Sequence, residues 1–481
     1  MATAYKELVQ QLQNLEEHLA VNNPKLLPIV PLIRRHNLER YKAVSRSTRK
    51  GKKLSGQIEL ILMTLRLFLQ SIFSSQDDES GYRYFLFDHA VKRNFSTAAG
   101  YTNRLMDGLA HFLNNRGKCL LGEYLTDVSQ WKSSKSIPTI NLFPINLFAT
   151  LCIRLGLGQR AASYCTKEIS YIEDLIKERN WTSIFFDPKV ISQDLVRILF
   201  LREAFTRLLE NHKLHLVFNF CYYSKEAFGL TLACKKLGIL CIDVQHGTQG
   251  STHPMYASYP SIASAQTRQL LPGIFWVWSK AEEQHIQDWD STYLQSVIKG
   301  GNPWLAFYKA QNSVQITQDE SKESTILVSL QEPQHYHSSY LEELIRRTEG
   351  DTHWQWLLRA HPLYPELELE LTEAFSDMEN VKVMGINKQD LYQQFIQANL
   401  HITGFSTTCL EALEFGLPTI LIHHNGKDYY QSYIENSYFQ YAPDLDTCLE
   451  VMKNGSFEVP PKELLQGDQS TVEAAIKIID P

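Results

Sequence analysis

The chain lacks the stretch of roughly 20 apolar residues that a membrane-spanning helix needs. Its most apolar early run, 58–73, is shorter than that and carries Glu59 and Arg66. The first thirty residues contain Glu7, Glu16 and Glu17 and no signal-peptide core. There is no C-x-x-C. The eight cysteines are scattered, several inside apolar runs such as Leu240-Cys241-Ile242. That argues against a disulfide framework and against a zinc site, and for buried thiols in a reducing compartment. A basic excess is also missing: Lys and Arg number 47 against 53 Asp and Glu, for a net charge of −6. A general nucleic-acid binder would carry a basic excess or face. An anionic small ligand needs only a local site. The expectation is a protein of the cytoplasmic side.

What is present is globular. The 481 residues are 44% hydrophobic and 21% charged, enough for two or three domains with real cores. Residues 1–80 read as a helical, basic N-terminal extension. Between positions 34 and 53, Arg34, Arg35, Arg40, Lys42, Arg46, Arg49, Lys50, Lys52 and Lys53 face one acid, Glu39. Such a segment is either a solvated face or a contact for an anionic membrane surface or polyanionic acceptor. On the second reading the protein sits peripherally on the inner face of the plasma membrane.

From Tyr82 the pattern becomes α/β. Expected strands are 84–87, 118–121, 183–186, 214–220 and 239–244, followed by a second set at 275–278, 297–299, 325–330, 354–358, 381–384, 400–403 and 419–422. Continuous apolar strands on both sides of a helix mark a parallel, doubly covered sheet. Residues 251–273 hold three prolines and read as a linker with a hinge-side loop. The expected architecture is two Rossmann-like doubly wound domains, 81–270 and 271–481. Ligands are expected in the crevice at the carboxyl ends of their strands.

Three motifs fall there. Asp243-Val244-Gln245-His246-Gly247-Thr248-Gln249-Gly250 leaves a buried strand into a glycine-rich loop. Gly247 and Gly250 suggest special backbone geometry or close approach of a ligand. His246 suits proton transfer near neutrality, or caps a turn; His253 is a weaker second candidate. Trp356-Leu357-Leu358-Arg359-Ala360-His361-Pro362 ends a strand with a guanidinium and an imidazole, which suits a phosphate or diphosphate. A salt bridge to a neighbouring helix is the alternative. Gly404-Phe405-Ser406-Thr407-Thr408 then leads a strand into a helix, with hydroxyls and free N–H groups at the helix start. Thr408 and Glu411 also have capping-box spacing. Asp288-x-Asp290 and Asp444-x-Asp446 follow no buried strand and read as surface acids.

The order Q-H-G, G-N-P (Gly301-Asn302-Pro303), R-x-H-P and S-T-T-x-x-E-A-x-x-x-G-x-P resembles GT-B glycosyltransferases of bacterial surface-polysaccharide synthesis. It is most similar to the capsule and lipopolysaccharide Kdo transferases and the H-P-motif sialyltransferases. Teichoic-acid glycerophosphotransferases are more distant. The likeness runs from about Tyr84 to Ile422 and is carried by the motifs. It implies that His361, Ser406 and Thr407 contact the donor phosphate, with Arg359 supporting them and Thr408 beside them. Glu411 would contact the donor ribose, and Gly404 would leave room for the nucleotide. Gln245, His246 and Gly247 fall on the acceptor side. The acidic pair of the H-P-motif sialyltransferases has no counterpart after an early strand; Asp77-Asp78-Glu79 precedes it instead. Asp88 and His89 therefore rival His246 as the base, with Asp107 behind them.

The expected activity is transfer from a nucleotide sugar, best a CMP-activated acidic sugar, to a surface-glycan or glycolipid acceptor. Closing the domains would bring His246 towards His361. No metal or other cofactor is required by that scheme. The alternatives are a CDP-polyol or nucleotide-hexose donor, and a non-catalytic protein that binds nucleotide or glycan.

Overall fold

The computed structural model describes residues 2–44, 81–89, 93–97, 100–103, 105–124, 137–289, 297–312, 324–331, 338–348, 354–361, 364–385 and 390–481. The apolar run 58–73, the basic positions 46–53, Asp77-Asp78-Glu79, Asp290 and Pro362 lie outside them. The chain divides into two compact units. One gathers residues 3–246, 253–304 and 469–481, the other 247–252 and 305–468.

The first unit is built on strands β1 (Tyr82–His89), β4 (Lys118–Tyr124), β5 (Thr139–Asn141), β6 (Leu216–Asn219), β7 (Leu240–Val244), β8 (Ile274–Val277) and β9 (Val297–Lys299), with a separate hairpin of β2 (Arg93–Thr97) and β3 (Gly100–Asn103). Their order is β5-β4-β1-β6-β7-β8-β9, and all seven are parallel. Helices cover both faces. In the clearest β-α-β unit, Ser224 accepts the Ala227 N–H to open helix Lys225–Leu237. Gly238, at φ 70°, ends that helix in the left-handed region.

Three expectations change here. Residues 183–186 form no strand, because the backbone of Phe185 is taken by a side chain. Its N–H donates to Asn37 Oδ1 (2.7 Å), and its carbonyl accepts from Asn37 Nδ2 (3.1 Å). Strands β8 and β9, placed with the second set by sequence, join the first sheet. Ile242 pairs with Ile274 and Phe275 with Val297. Residues 253–273 are no linker: Met255, Tyr256, Ala257 and Tyr259 are at most 1% exposed and lie in this unit's core.

The N-terminal helices belong to the same core. Helices Ala2–Asn22 and Val30–Val44 bury Leu8, Leu12, Leu15, Leu19, Val30 and Ile33 beside Ile172, Leu175, Tyr256 and Tyr259. A buried ion pair fixes them. Arg34 Nη2 donates to Glu16 Oε2 at 2.9 Å, and both side chains are at most 1% exposed. Arg34 also donates to the carbonyls of Pro254, Ala257 and Ser258, and stacks 3.7 Å over the Tyr259 ring. Glu16 Oε1 accepts from the Ser261 N–H and hydroxyl. Arg34 and Arg35, assigned by sequence to a surface-facing basic segment, are thus buried. Desolvating a guanidinium is offset only as far as its donors are matched, and here four oxygens take bonds from the two Nη groups, while Nε has no partner among the described residues.

The second unit carries β10 (Ser324–Ser329), β11 (Trp354–Arg359), β12 (Val381–Met384), β13 (Leu400–Thr403), β14 (Thr419–Leu421) and β15 (Phe439–Tyr441), ordered β12-β11-β10-β13-β14-β15 and all parallel. Its core runs through Ile326, Val328, Leu344, Trp356, Leu358, Ile402 and Ile420. No helix among the described residues is long and apolar enough to cross a membrane. All eight cysteines are free thiols, six of them buried.

Removing one member of a buried pair leaves an uncompensated charge and costs about 3–5 kcal/mol. Arg34→Met is expected to destabilise the first unit by that order in denaturant unfolding, and the double change with Glu16→Gln to recover part of the loss. A change below about 1 kcal/mol for the single variant would contradict the role assigned to the pair.

Candidate functional site

In each sheet the chain order reverses at one place, and ligands of doubly wound sheets bind beside the strand ends there. In the first unit that place is between β1 and β6. Asp88, next to last in β1, lies in register with Glu123 on β4, and both are fully buried. Asn103 joins them: its Nδ2 donates to Asp88 Oδ2 (2.9 Å) and to Glu123 Oε1 (3.1 Å). Its own N–H donates to Asp107 Oδ2 (2.8 Å), and its Oδ1 accepts from the N–H groups of Leu105 and Met106. Asp88 and Asp107, separate candidates in the sequence, thus meet around one residue, Asn103, through its side-chain amide and its backbone N–H. Glu123 is the member that sequence reasoning missed. Its signal was an acid closing an otherwise apolar strand, Cys119-Leu120-Leu121-Gly122-Glu123. The backbone of His89 closes β1; its side chain lies outside the description.

The end of β7 carries a second carboxyl. Asp243 is fully buried; its Oδ1 accepts the Tyr222 N–H (2.9 Å) and its Oδ2 the Tyr256 hydroxyl (2.9 Å). Burial pushes it up to about 8, although these bonds and the Cys221 N–H pull the other way. Cys221, at φ 78°, holds the strained left-handed turn that presents those N–H groups.

His246 follows three residues later, half-buried, with its ring 6.1 Å from that of Tyr223. His253 is a turn residue: its Nδ1 accepts the Met255 N–H (3.2 Å) and its carbonyl those of Tyr256 and Ala257. Gln245 is 1% exposed, and its Oε1 accepts the Trp278 N–H (2.7 Å), tying β7 to β8. Gly247 and Gly250 do not adopt positive φ. A Cβ at either would meet nothing within 4 Å, so these glycines mark open space rather than special geometry.

In the second unit the reversal lies between β10 and β13. Gln331, just past β10, reaches across with Oε1 to the Phe405 N–H (2.6 Å). That oxygen would stand 2.7 Å from a Cβ at 404, so Gly404 makes room for Gln331. Gln331 is a second residue that sequence reasoning missed; no motif marks it, only its place after a buried strand.

The expected capping box does not form. Helix Thr408–Leu413 has Thr407 at its cap with no side-chain bond there. The Thr408 hydroxyl instead meets Ser329 Oγ (2.9 Å), which bonds His401 Nε2 (2.7 Å), whose Nδ1 meets Thr419 Oγ1 (3.2 Å). Burial lowers His401 to about 3 and keeps it neutral. Thr408 is therefore committed to a buried hydroxyl chain. Ser406 Oγ accepts the Thr408 N–H (3.3 Å), and Glu411 is 8% exposed on the same helix.

Strand β11 ends at Arg359, so His361 lies beyond it, half-buried, with its ring 5.7 Å from that of Tyr364. Arg359 Nη1 donates to Gln394 Oε1 (3.0 Å), a fully buried amide that aims the guanidinium. The D-x-D acids do structural work: Asp288 accepts from Gln284, Asp444 caps helix Leu445–Asn454, and Asp446 pairs with Arg347. Among the described residues no group of three or more His, Cys, Asp or Glu is arranged to hold a metal ion.

No known family's sequence pattern matches the chain, and no curated protein matches it. Solved structures do. The S. aureus MnaA–UDP co-structure has a TM-score of 0.51 at 11% identity, covering 83% of this chain and 96% of that one. The Methanocaldococcus jannaschii UDP-GlcNAc 2-epimerase in complex with UDP-GlcNAc and UDP gives 0.51 at 11%, covering 82% and 99%. A glycotransferase of kitacinnamycin gives 0.49 at 10%, covering 83% and 98%. The architecture is GT-B: two Rossmann-like parallel sheets of seven and six strands, flanked by helices.

Asp243 provides a pH signature. A carboxyl raised in the folded state binds its proton there and not in the unfolded chain between about pH 4 and 8. Folding stability from this group is therefore present below the unfolded value and lost as pH rises to about 8. The slope for one proton is at most about 1.4 kcal/mol per pH unit. Asp243→Asn is expected to flatten that dependence. Equal pH profiles for the two proteins in denaturant unfolding would show that Asp243 is ionised in the fold.

Proposed function

We propose that the chain is a glycosyltransferase that holds a nucleotide sugar on its second unit and passes the sugar to an acceptor hydroxyl on its first. One observation carries the reading. In both sheets, chemistry-bearing side chains gather at the carboxyl strand ends beside the reversal of strand order, Asp88 and Glu123 in one, Gln331 and Ser406 in the other.

The roles follow from the chemistry. As the sugar leaves, negative charge grows on the departing phosphate. Arg359 and His361, at the end of β11, would donate to it, with Ser406, Thr407 and the N–H groups of their turn. Glu411 would meet the ribose. The acceptor hydroxyl must lose a proton as it attacks; Asp88 and His246 are the candidate bases. Gln245, by contrast, would act by fixing the strand end from which His246 and Gly247 emerge. None of these steps calls for a cofactor.

The motif order supports a CMP-activated acidic sugar such as Kdo or sialic acid, and a surface-glycan or glycolipid acceptor as in capsule or lipopolysaccharide synthesis. A UDP-sugar donor is the second reading, favoured by the UDP named in the two solved structures above. Attachment to an anionic membrane through Arg40, Lys42 and the basic residues after them completes the proposal; Arg34 and Arg35 are excluded from it by burial.

Thermal-shift screening with CMP, CDP, UDP, GDP and ADP tests the donor, because a ligand of the folded state raises the apparent Tm. A response to CMP or CDP supports the first reading, a response to UDP alone the second, and no response to any rejects both. For the chemistry, His361→Ala should lower donor hydrolysis and transfer at least a hundredfold with the fold intact; unchanged rates would remove it from the site. His246→Ala should still bind donor yet fail in transfer. Lost donor affinity with normal turnover would place His246 elsewhere.

A further inference from the structure

The loop after His246 leaves the first unit. Residues 247–252 are gathered with the second. Thr248 Oγ1 lies 3.0 Å from the Tyr430 hydroxyl. Tyr430 in turn donates to the Phe405 carbonyl at 3.3 Å, within the Gly404–Thr407 turn. One fully buried tyrosine thus links the 247–252 segment to the turn proposed to hold the donor, within one unit.

Gln249 is the next residue. It is 7% exposed, and neither its Nε2 nor its Oε1 has a hydrogen-bond partner among the described residues. Burying a carboxamide without partners is costly, so native proteins rarely leave both ends unmet. Open space adjoins it on both sides of the chain, since a Cβ at Gly247 or Gly250 would meet nothing within 4 Å. A buried polar group with no partner among the described residues, beside free volume and one residue from the Thr248–Tyr430 link to that turn, has the character of a ligand contact.

The chemistry narrows the ligand part. A carboxamide is uncharged and offers two N–H donors and one acceptor oxygen. A phosphate only accepts, and a carboxamide oxygen turned to it would be repelled; Arg359 and the hydroxyls of the turn serve that part better. Sugar hydroxyls both donate and accept, and so use both ends of the amide. We infer that Gln249 reads the hydroxyls of the transferred sugar, as a specificity-determining residue of the second unit. This rests on the nucleotide-sugar reading above.

The test is calorimetric titration of the full chain with UDP, UDP-N-acetylglucosamine, CMP and CMP-N-acetylneuraminate, for wild type, Gln249→Leu and Gln249→Glu. Both variants are expected to weaken the nucleotide sugar that wild type prefers at least tenfold, and to leave the free nucleotide within twofold. Without ligand, Gln249→Leu should melt at the same temperature as wild type or higher, because it removes an amide that has no partner among the described residues. Equal weakening of nucleotide and nucleotide sugar, no weakening of either, or a lower melting temperature for Gln249→Leu would each overturn the assignment. Failure of wild type to bind any of the four would reject the nucleotide-sugar reading and this inference with it; intact wild-type binding with unaltered variants rejects this inference alone.

Discussion

A buried arginine orders the segment that supports the end of β7. Arg34 pairs with Glu16 and satisfies three carbonyls of the 254–258 segment, so the N-terminal helices and that segment can be ordered only together. The same segment delivers the Tyr256 hydroxyl to Asp243. Asp243, next to last in β7, accepts the N–H of Tyr222 from the turn after β6. Residues that look remote in sequence, from position 16 to position 256, thereby fix the strand end from which His246 departs. Hydrophobic burial holds the helices down, as Leu8, Leu12, Leu15 and Leu19 show, and the ion pair and its carbonyls join them to the 254–258 segment.

The two sheets solve one problem with different means. Around Asp88 and Glu123 the first unit gathers carboxylates and shares one amide between them. The second unit uses neutral groups: a histidine kept uncharged by burial, three hydroxyls and the Gln331 amide. A neutral, donor-rich floor suits an anion arriving from solvent, while an acidic one suits abstraction of a proton.

The parallel architecture was legible because period and composition are local properties. Apolar runs such as Val217-Phe218 and Cys241-Ile242, broken by Gly238, read directly as strands around a helix. The places where reading failed are those where a distant side chain overrides the local signal. Phe185 lies in a strand-like run, yet Asn37 claims its backbone. The prolines at 254 and 260 look like a linker, yet Arg34 and Glu16 draw the surrounding turns into a core. Thr408 and Glu411 have cap spacing, yet the Thr408 hydroxyl is claimed by Ser329 on a strand nearly eighty residues earlier. Among candidate residues, Arg359, His361, His246 and Asp88 were visible as polar groups at or just past strand ends. Glu123 and Gln331 were not, because their relevance comes from sheet order, which no single segment encodes.

The central claim is that a nucleotide sugar is held where β10 and β13 part. Amide hydrogen exchange of the full chain with and without saturating nucleotide measures it directly. The account predicts slowed exchange at 329–331 and 403–408. Protection confined to other segments, with those two unchanged while the nucleotide is bound, would contradict it.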